Sequence, residues 1–506
     1  MKAMKAPNCT FLLHLVFGVF LAASFPAFSA IFPVIPSGDI SGVTDQATIK
    51  VALEAAKNGG TVELAAGTFY LHKSIVVFEF SGTFKGAGKA LTTVRTAPGI
   101  NFDLSESVQT FPPPFAYLGA SMFSFPYNPS NEARTFVMSD MKIVVSEPGV
   151  DSPLDGYEDF RLSYLLNTMH AVAVVNVDVV SILIGQPYST INLDATVEHL
   201  EIEGIQNPKF RGFWDEFLFD TDNSIFDGVF IQGPSVGKAE ALDVEVVNAD
   251  IGIALSDNDE ALIESCVVQN AVFGIENWFN ANDLIEANSI SGDGFVAMGV
   301  VTSTNVDISN NFVIGNWVYG INPWLGSNDC TITGNLLGET KVGQKLGMSS
   351  IFGAISVEQS DSCTVTDNKF VNVSSPGLGA VWVSGQFNRV EDNDYTESGL
   401  PGWNAGPGAI MLARFMGNTF DRGSIKNHVF ETQYPAGTDV CEQVQGIQGN
   451  NVQALTGGAV TGINQGMCSA VLALEIFNES NASLLQQMAE MQVQREEAWG
   501  RSRRAH

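Results

Sequence analysis

The stretches VVNADIGIALSDN (residues 246–258) and VVQNAVFGIENWF (residues 267–279) match when one is shifted by 22 residues. Asn248 then falls on Asn270, and the glycine and isoleucine that follow each asparagine coincide as well. The same pattern continues along the chain at similar intervals. A short, regular interval of this kind indicates a fold built from repeated structural units.

A second recurring segment ends each repeat in a cysteine or an asparagine. These ends are spaced by 22, 23, 24, 33 and 25 residues and lie at Cys266, Asn288, Asn311, Asn335, Asn368 and Asn393. A repeat of this length has room for three short strands, which is typical of a parallel β-helix whose coils stack at about 4.8 Å. We therefore predict that the six residues form one buried column, joined by their amides. The asparagines and glycines are interpreted as structural residues.

The fold class predicted from this repeat is all-β, a single-stranded parallel β-helix over residues 31–440. An apolar i, i+3, i+4, i+7 pattern within residues 39–60 predicts an N-terminal capping helix, with Thr44 or Asp45 capping its start. Residues 441–506 differ in composition and are predicted to be a C-terminal segment with a helical tail.

The first 30 residues read as a secretory signal peptide. They carry Lys2 and Lys5, then an apolar run and small residues. No later stretch is long and apolar enough to span a membrane. We expect a secreted protein, whether periplasmic, extracellular or on the cell surface, with no stable membrane insertion after cleavage.

The chain is strongly acidic, with a formal net charge of −30 over 506 residues. No basic stripe is available to neutralise phosphates, so nucleic acid is excluded as a partner. The oligomeric state cannot be predicted from these residues.

Five cysteines remain after the signal peptide, an odd number that argues against a dense disulfide framework. Cys330 and Cys363 occupy equivalent positions in their repeats and should be neighbours in a buried column. A pair of free thiols is favoured over a disulfide between them. Cys441 and Cys468 lie beyond the regular repeats, and a bridge between them is left open.

The opening of the chain resembles a known superfamily. GGTVELAAGTFYL (59–71), GTFKGAGKALTTV (82–94) and the later asparagine–glycine coils are similar to the pectate-lyase-like right-handed β-helix proteins. The resemblance extends over about residues 39–430. It implies a right-handed helix and a polysaccharide lying across one parallel face. The catalytic strings of polygalacturonases, classical pectate lyases and alginate epimerases are absent, so the resemblance does not specify a reaction.

The strand after each glycine provides a candidate functional face. If the isoleucine after the glycine points inward, Glu276 and Asn322 point outward, and Ser356, Trp382 and Met411 continue that row. Trp278 and Trp324 lie two coils apart, about 9–10 Å by strand spacing, which suits stacking on alternate sugars. The alternative is that these tryptophans brace the bends or fill the core.

Glu276 is the acid that the repeat places directly on this face, and Asp257 lies in a predicted turn one coil earlier. Cleavage of a glycosidic bond by hydrolysis needs two carboxyl groups, about 5–5.5 Å apart for retention or 6.5–9.5 Å for inversion. Glu276 and Asp257 are the candidate catalytic pair. The alternative is that both are ordinary solvated acids of an acidic protein.

No cofactor is expected, and calcium is the one ion that the acidic clusters suggest, through Asp220 and Asp222. His170 and His199 are available for acid–base chemistry, but no sequence pattern places a partner beside either. The sequence therefore predicts an exported glycoside hydrolase or polysaccharide lyase acting on an extended glycan. The alternative is a non-catalytic glycan-binding or cell-surface structural protein.

Overall fold

A computed structural model describes most of the chain between residues 30 and 397. The gaps are residues 101, 109–120, 146–167, 177–190, 205–224, 339–347, 351–352, 372, 375–379 and 384–387, and the described segments beyond 397 are Ile410–Ala413, Thr419–Asp421, Val440–Gln443 and Asn451–Gln453. The signal peptide, Asp220, Asp222, Cys468 and the predicted helical tail lie outside the described residues. The proposed domain boundaries stay predictions.

The N-terminal part begins with a short strand and a helix, followed by strands of 2 to 15 residues. The helices are α1 (Val43–Ala56) and α2 (Ser105–Val108), and the strands are β1 (Ile31–Val34), β2 (Asn58–Leu64), β3 (Gly67–Leu71), β4 (Ile75–Val76), β5 (Ser81–Lys85), β6 (Thr92–Thr96), β7 (Ser121–Tyr127), β8 (Ser130–Val144), β9 (Thr168–Asn176) and β10 (Ile191–Glu203).

The strands of the regular repeats follow. They are β11 (Ile225–Leu242), β12 (Glu245–Glu264), β13 (Val267–Trp278), β14 (Leu284–Glu286), β15 (Ser289–Val301), β16 (Asp307–Ser309), β17 (Phe312–Trp324), β18 (Thr331–Thr333), β19 (Leu336–Leu337), β20 (Met348–Ser350), β21 (Ile355–Val357), β22 (Thr364–Thr366), β23 (Lys369–Val371), β24 (Val373–Ser374), β25 (Val381–Val383), β26 (Arg389–Glu391), β27 (Asp394–Glu397), β28 (Ile410–Ala413), β29 (Thr419–Asp421), β30 (Val440–Gln443) and β31 (Asn451–Gln453).

Every strand pairing among the described residues is parallel, and each strand pairs with its equivalent in the next coil. The buried column after the repeat glycine shows the register: Ile253, Ile275, Met298, Ile321, Ile355 and Val381 are successive partners. All six are buried in the hydrophobic core. The predicted right-handed parallel β-helix is confirmed.

The predicted asparagine column is present and buried. The backbone N–H of Cys266 donates to Asn288 Oδ1 over 2.9 Å, and that of Asn288 donates to Asn311 Oδ1 over 2.9 Å. The same contact repeats through Asn335 and Asn368 to the last member of the column. Each side-chain amide also donates to a backbone carbonyl of the preceding coil, as Asn311 Nδ2 does to Ile285 O over 2.8 Å. The column therefore satisfies backbone groups at a corner where the strands end.

The repeat glycines are required by close packing between coils. A β-carbon at Gly274 would lie 2.4 Å from the carbonyl oxygen of Ala297 and 2.9 Å from Ile290 Cγ2. At Gly252 it would lie 2.5 Å from the carbonyl oxygen of Gly274. The corner therefore excludes any side chain at these positions.

Helix α1 covers the N-terminal end of the core and buries Ile49 and Leu53. The predicted cap at Thr44 or Asp45 is wrong. The helix begins at Val43, and Asp39 Oδ2 accepts hydrogen bonds from the backbone N–H and the hydroxyl of Thr44. Asp45 is buried and instead joins neighbouring segments of the end coil by accepting two other backbone N–H groups.

Cys330 and Cys363 are buried, free and stacked in neighbouring coils, as predicted. Both Sγ atoms contact the carbonyl oxygen of Ser327, at 3.5 and 3.2 Å. Among the described residues, no helix is both long and apolar enough to cross a membrane.

Candidate functional site

The predicted outward row exists in the predicted register. Ala254, Glu276, Gly299 and Asn322 are successive partners on four coils. The row continues through Ser356, Trp382 and Met411. Four of its members, Ala254, Glu276, Asn322 and Ser356, are buried. We expected an exposed face, and the structure shows a covered one.

Glu276 is held in an enclosed environment, with 4% of its surface exposed. Trp278, two residues along the same strand and partly exposed, donates from Nε1 to Glu276 Oε2 over 2.5 Å. The other oxygen, Oε1, has no hydrogen-bond partner among the described residues. The carboxyl group leans over Gly299, where an added β-carbon would lie 2.5 Å from Oε1.

Burial raises the pKa of Glu276 from 4.5 to about 8, and the hydrogen bond from Trp278 only partly opposes this effect. A carboxyl group has to lose its hydration to become charged in such a place, so the neutral form is favoured. Glu276 is therefore mainly protonated at pH 7. A neutral carboxylic acid can donate a proton, which is the property that a general acid needs.

Asp257 occupies a different environment, partly exposed within β12 at a position with φ of 59°. Its Oδ2 accepts hydrogen bonds from Gln232 Nε2 (3.2 Å) and Ser256 Oγ (2.8 Å). The strand partner of Glu276 is Ala254, three residues before Asp257. Three extended residues and one strand spacing separate the α-carbons by roughly 11 Å. Since the Glu276 carboxyl leans the other way, the structure does not bring the two acids together, and a role for Asp257 stays a prediction.

The tryptophans of the candidate face are partly exposed. Trp278 pairs with Val301 and Val301 with Trp324, so the two rings stand two coils apart in one column. That is about 9–10 Å by strand spacing. Trp382 lies in the row of Glu276, four coils farther along. These positions suit an extended chain of sugars, although binding itself stays a prediction.

A second acid on this face, which is partly exposed, was missed by sequence reasoning. Glu358 follows Trp324 in the same column, and burial raises its pKa to about 7. Its Oε2 atom has no hydrogen-bond partner among the described residues. The signal for it was available, because Glu358 stands two residues after Ser356, as Trp278 stands two residues after Glu276. Asn322, by contrast, uses its amide to donate to Ser356 O over 2.9 Å.

The two histidines differ in their surroundings. His199 is exposed, with Nδ1 3.8 Å from Asp140 Oδ1. His170 is buried, with Nδ1 3.0 Å from Oδ2 of the buried Asp227. The sequence shows no pattern that places Asp227 beside His170, because stacking of the coils closes a separation of 57 residues in the sequence.

The proposed calcium ligands Asp220 and Asp222 lie outside the described residues. Within the described part of the chain, no group of three or more histidine, cysteine, aspartate or glutamate side chains is arranged to hold a metal ion.

A family model described as periplasmic copper-binding protein (NosD) matches residues 219–400. The donors in that segment do not fit copper. It contains no histidine. Its cysteines are Cys266, Cys330 and Cys363, all buried, and burial raises the pKa of the Cys266 thiol to about 12. We derive no copper chemistry from the match.

No curated protein matches the chain. Among solved structures, it is similar to the mannuronan C-5 epimerase AlgE4 A-module of Azotobacter vinelandii (14% identity, TM-score 0.38, 83% of this chain and 95% of that chain). It is also similar to DFA-IIIase from Arthrobacter chlorophenolicus A6, with 12% identity and a TM-score of 0.47 over 86% of this chain and 96% of that chain. A third similar structure is the catalytic unit of a GH87 alpha-1,3-glucanase from Streptomyces thermodiastaticus strain HF3-3, with 11% identity and a TM-score of 0.42 over 88% of this chain and 70% of that chain.

The parallel register of the coils, the buried asparagine column and the glycine corners together match the fold implied by the opening segments of the sequence. The chain is a right-handed parallel β-helix protein.

Proposed function

We propose that this is an exported protein that acts on a polysaccharide, with Glu276 as the general acid of glycosidic bond cleavage. The observation that carries the proposal is the buried carboxyl of Glu276, which Trp278 holds in an enclosed position on the outer side of the helix and whose pKa burial raises to about 8. Hydrolysis and elimination both require a proton for the departing oxygen. Glu276 is the described residue best suited to supply it.

The neighbouring tryptophans support a carbohydrate substrate. Aromatic faces pack on the apolar faces of pyranose rings, and the spacing of Trp278 and Trp324 matches alternate sugars of an extended chain. A substrate lying parallel to the helix axis would cross both rings and pass Glu276.

Residues 1–30 resemble a signal peptide, which supports export. Export also agrees with the match of residues 219–400 to a family described as periplasmic. The copper binding in that description is not carried over, because the matched segment lacks suitable donors.

The second candidate function is glycan binding without cleavage. The engaged amide of Asn322 and the distance between Glu276 and Asp257 favour it, because a hydrolase needs a second group within about 9.5 Å of the first. Under this alternative the tryptophans bind the glycan and Glu276 only fills the covered face.

The test is to incubate the purified protein and its Glu276→Gln variant with a panel of neutral and acidic polysaccharides. Reducing ends report any chain cleavage, and absorbance of unsaturated uronate reports elimination. Reducing ends alone would indicate hydrolysis, and both signals would indicate elimination. We expect Glu276→Gln to abolish the activity and Glu264→Gln, at an exposed acid, to retain it. Retained binding with no cleavage of any glycan would favour the alternative.

A further inference from the structure

A second group of polar residues lies outside the core, several coils before Glu276. Ser121, His170 and Asp227 are in register on three successive coils, in strands β7, β9 and β11. Residues in register on parallel strands share a face, so the three side chains form one column in the order serine, histidine, aspartate. All three residues are buried.

The histidine and the aspartate of the column are fixed in place. Asp227 Oδ1 accepts a hydrogen bond from the backbone N–H of Ile251 over 3.1 Å, which leaves Oδ2 beside His170 Nδ1 at 3.0 Å. This contact is close but falls short of an aligned hydrogen bond. The imidazole ring stacks on Phe230, with centroids 4.6 Å apart and planes 9° apart. A carboxylate beside Nδ1 favours the tautomer with its proton on that nitrogen and leaves Nε2 as a proton acceptor.

The serine is held by its backbone. The N–H of Ser121 donates to Ser107 Oγ over 3.3 Å, and its carbonyl accepts from Ser74 Oγ over 2.7 Å. Ser121 therefore has a fixed position one coil from His170, on the side away from Asp227. The spacing between the two α-carbons is about 4.8 Å.

Three buried polar atoms in or near the column have no hydrogen-bond partner among the described residues. They are the two ring nitrogens of His170 and the hydroxyl oxygen of Ser124, whose residues are 3% and 0% exposed. Native proteins rarely leave such groups unsatisfied, and each case calls for an explanation. Ser124 lies three residues after Ser121 on the same strand. A bound molecule with a polar group beside Ser121 would satisfy His170 Nε2.

We propose that Ser121, His170 and Asp227 form a second catalytic site, for the hydrolysis of a carboxylic ester with a small acyl group. His170 Nε2 takes the proton of Ser121 Oγ as that oxygen bonds to the acyl carbon. The bond from that carbon to the alkoxy oxygen then breaks, and His170 returns the proton to the alcohol. Water, deprotonated by His170, releases the acid and restores the serine.

This site is separate from the proposed glycan-cleaving site. Glu276 stands three coils beyond His170, about 14 Å along the axis at about 4.8 Å per coil. That distance is too large for both residues to act on one bond. A substitution at the Ser121 site can therefore abolish ester hydrolysis without affecting glycan cleavage at Glu276, and the reverse also holds.

The test combines a covalent probe with kinetics on the full protein. A fluorophosphonate forms a bond from phosphorus to the activated serine oxygen and releases fluoride, and peptide mass spectrometry locates the label. We expect labelling at Ser121 in the native protein and none after unfolding. Hydrolysis of p-nitrophenyl acetate should fall at least about 100-fold in Ser121→Ala and His170→Gln. Asp227→Asn should lower kcat with little change in KM, as expected for a positioning residue.

Ser291→Ala and His199→Asn alter a serine and a histidine elsewhere on the molecule and should leave ester hydrolysis unchanged. Ser121→Ala should keep any glycan cleavage, and Glu276→Gln should keep ester hydrolysis. Thermal unfolding shows whether each variant is folded. Native protein that is not labelled at Ser121, or a folded Ser121→Ala variant with the original esterase rate, would overturn the proposal.

Discussion

The carboxyl group of Glu276 rests over Gly299, its strand partner in the next coil. The missing side chain at Gly299 creates the space that the carboxyl occupies, and Trp278 closes that space from the same strand as Glu276. The enclosure that keeps Glu276 protonated thus depends on one glycine and one tryptophan.

Gly299→Ala should displace the carboxyl, because the new β-carbon would lie 2.5 and 2.7 Å from its two oxygens. Since the carboxyl is the movable end of a side chain, we expect a modest stability loss of about 1–3 kcal/mol and a large loss of glycan cleavage. The double variant with Glu276→Gln provides the control. If Gly299 acts through Glu276, adding Gly299→Ala to Glu276→Gln should change activity no further, and full additivity would contradict this coupling.

Glu276 should make the protein less stable as the pH rises. Its pKa is 4.5 in the unfolded chain and about 8 in the folded protein, so between these values the folded state binds more protons. The free energy of unfolding should therefore fall from about pH 4.5 to about pH 8, by at most about 5 kcal/mol. Glu276→Gln cannot ionise and should lack this component. Thermal melts at several pH values should show that the stability of the variant relative to the wild type increases up to pH 8. A stability difference that does not change with pH would refute the raised pKa of Glu276.

Asn311→Ala should be among the most damaging polar substitutions. Asn311 accepts from the N–H and side chain of Asn288 and donates to Ile285 O, all in the core. Each buried group left without a partner costs about 1–3 kcal/mol, so a total of about 3–5 kcal/mol is expected in urea unfolding. Asn316→Ala, at an exposed asparagine, should cost less than about 1 kcal/mol. Equal losses would show that the column is not a structural element.

Trp324→Ala should weaken glycan binding while leaving Glu276 undisturbed, because Trp324 lies two coils from the Trp278 ring. Loss of one stacking contact of about 1 kcal/mol corresponds to about a fivefold rise in Kd. Isothermal titration with the glycan that the polysaccharide panel identifies as the ligand measures this change in Kd. An unchanged Kd would mean that Trp324 only braces the bend.

The sequence predicted the helix, the column of asparagines and the row containing Glu276, because these depend on a period that the residues themselves display. It did not predict the burial of that row, since cover over a face depends on segments that do not repeat. The contact between His170 and Asp227 was missed for a similar reason: their coils belong to the irregular part of the chain, where no spacing aligns them. The cap of α1 was misplaced because Asp39 reaches it from outside the helix.

The most direct test of the central claim is the pH dependence of glycan cleavage by the wild-type protein. If Glu276 donates the proton, the rate should fall about tenfold per pH unit above pH 8, where the carboxyl ionises. Cleavage that continues undiminished at pH 10, or that survives in Glu276→Gln at the wild-type rate, would contradict the assignment.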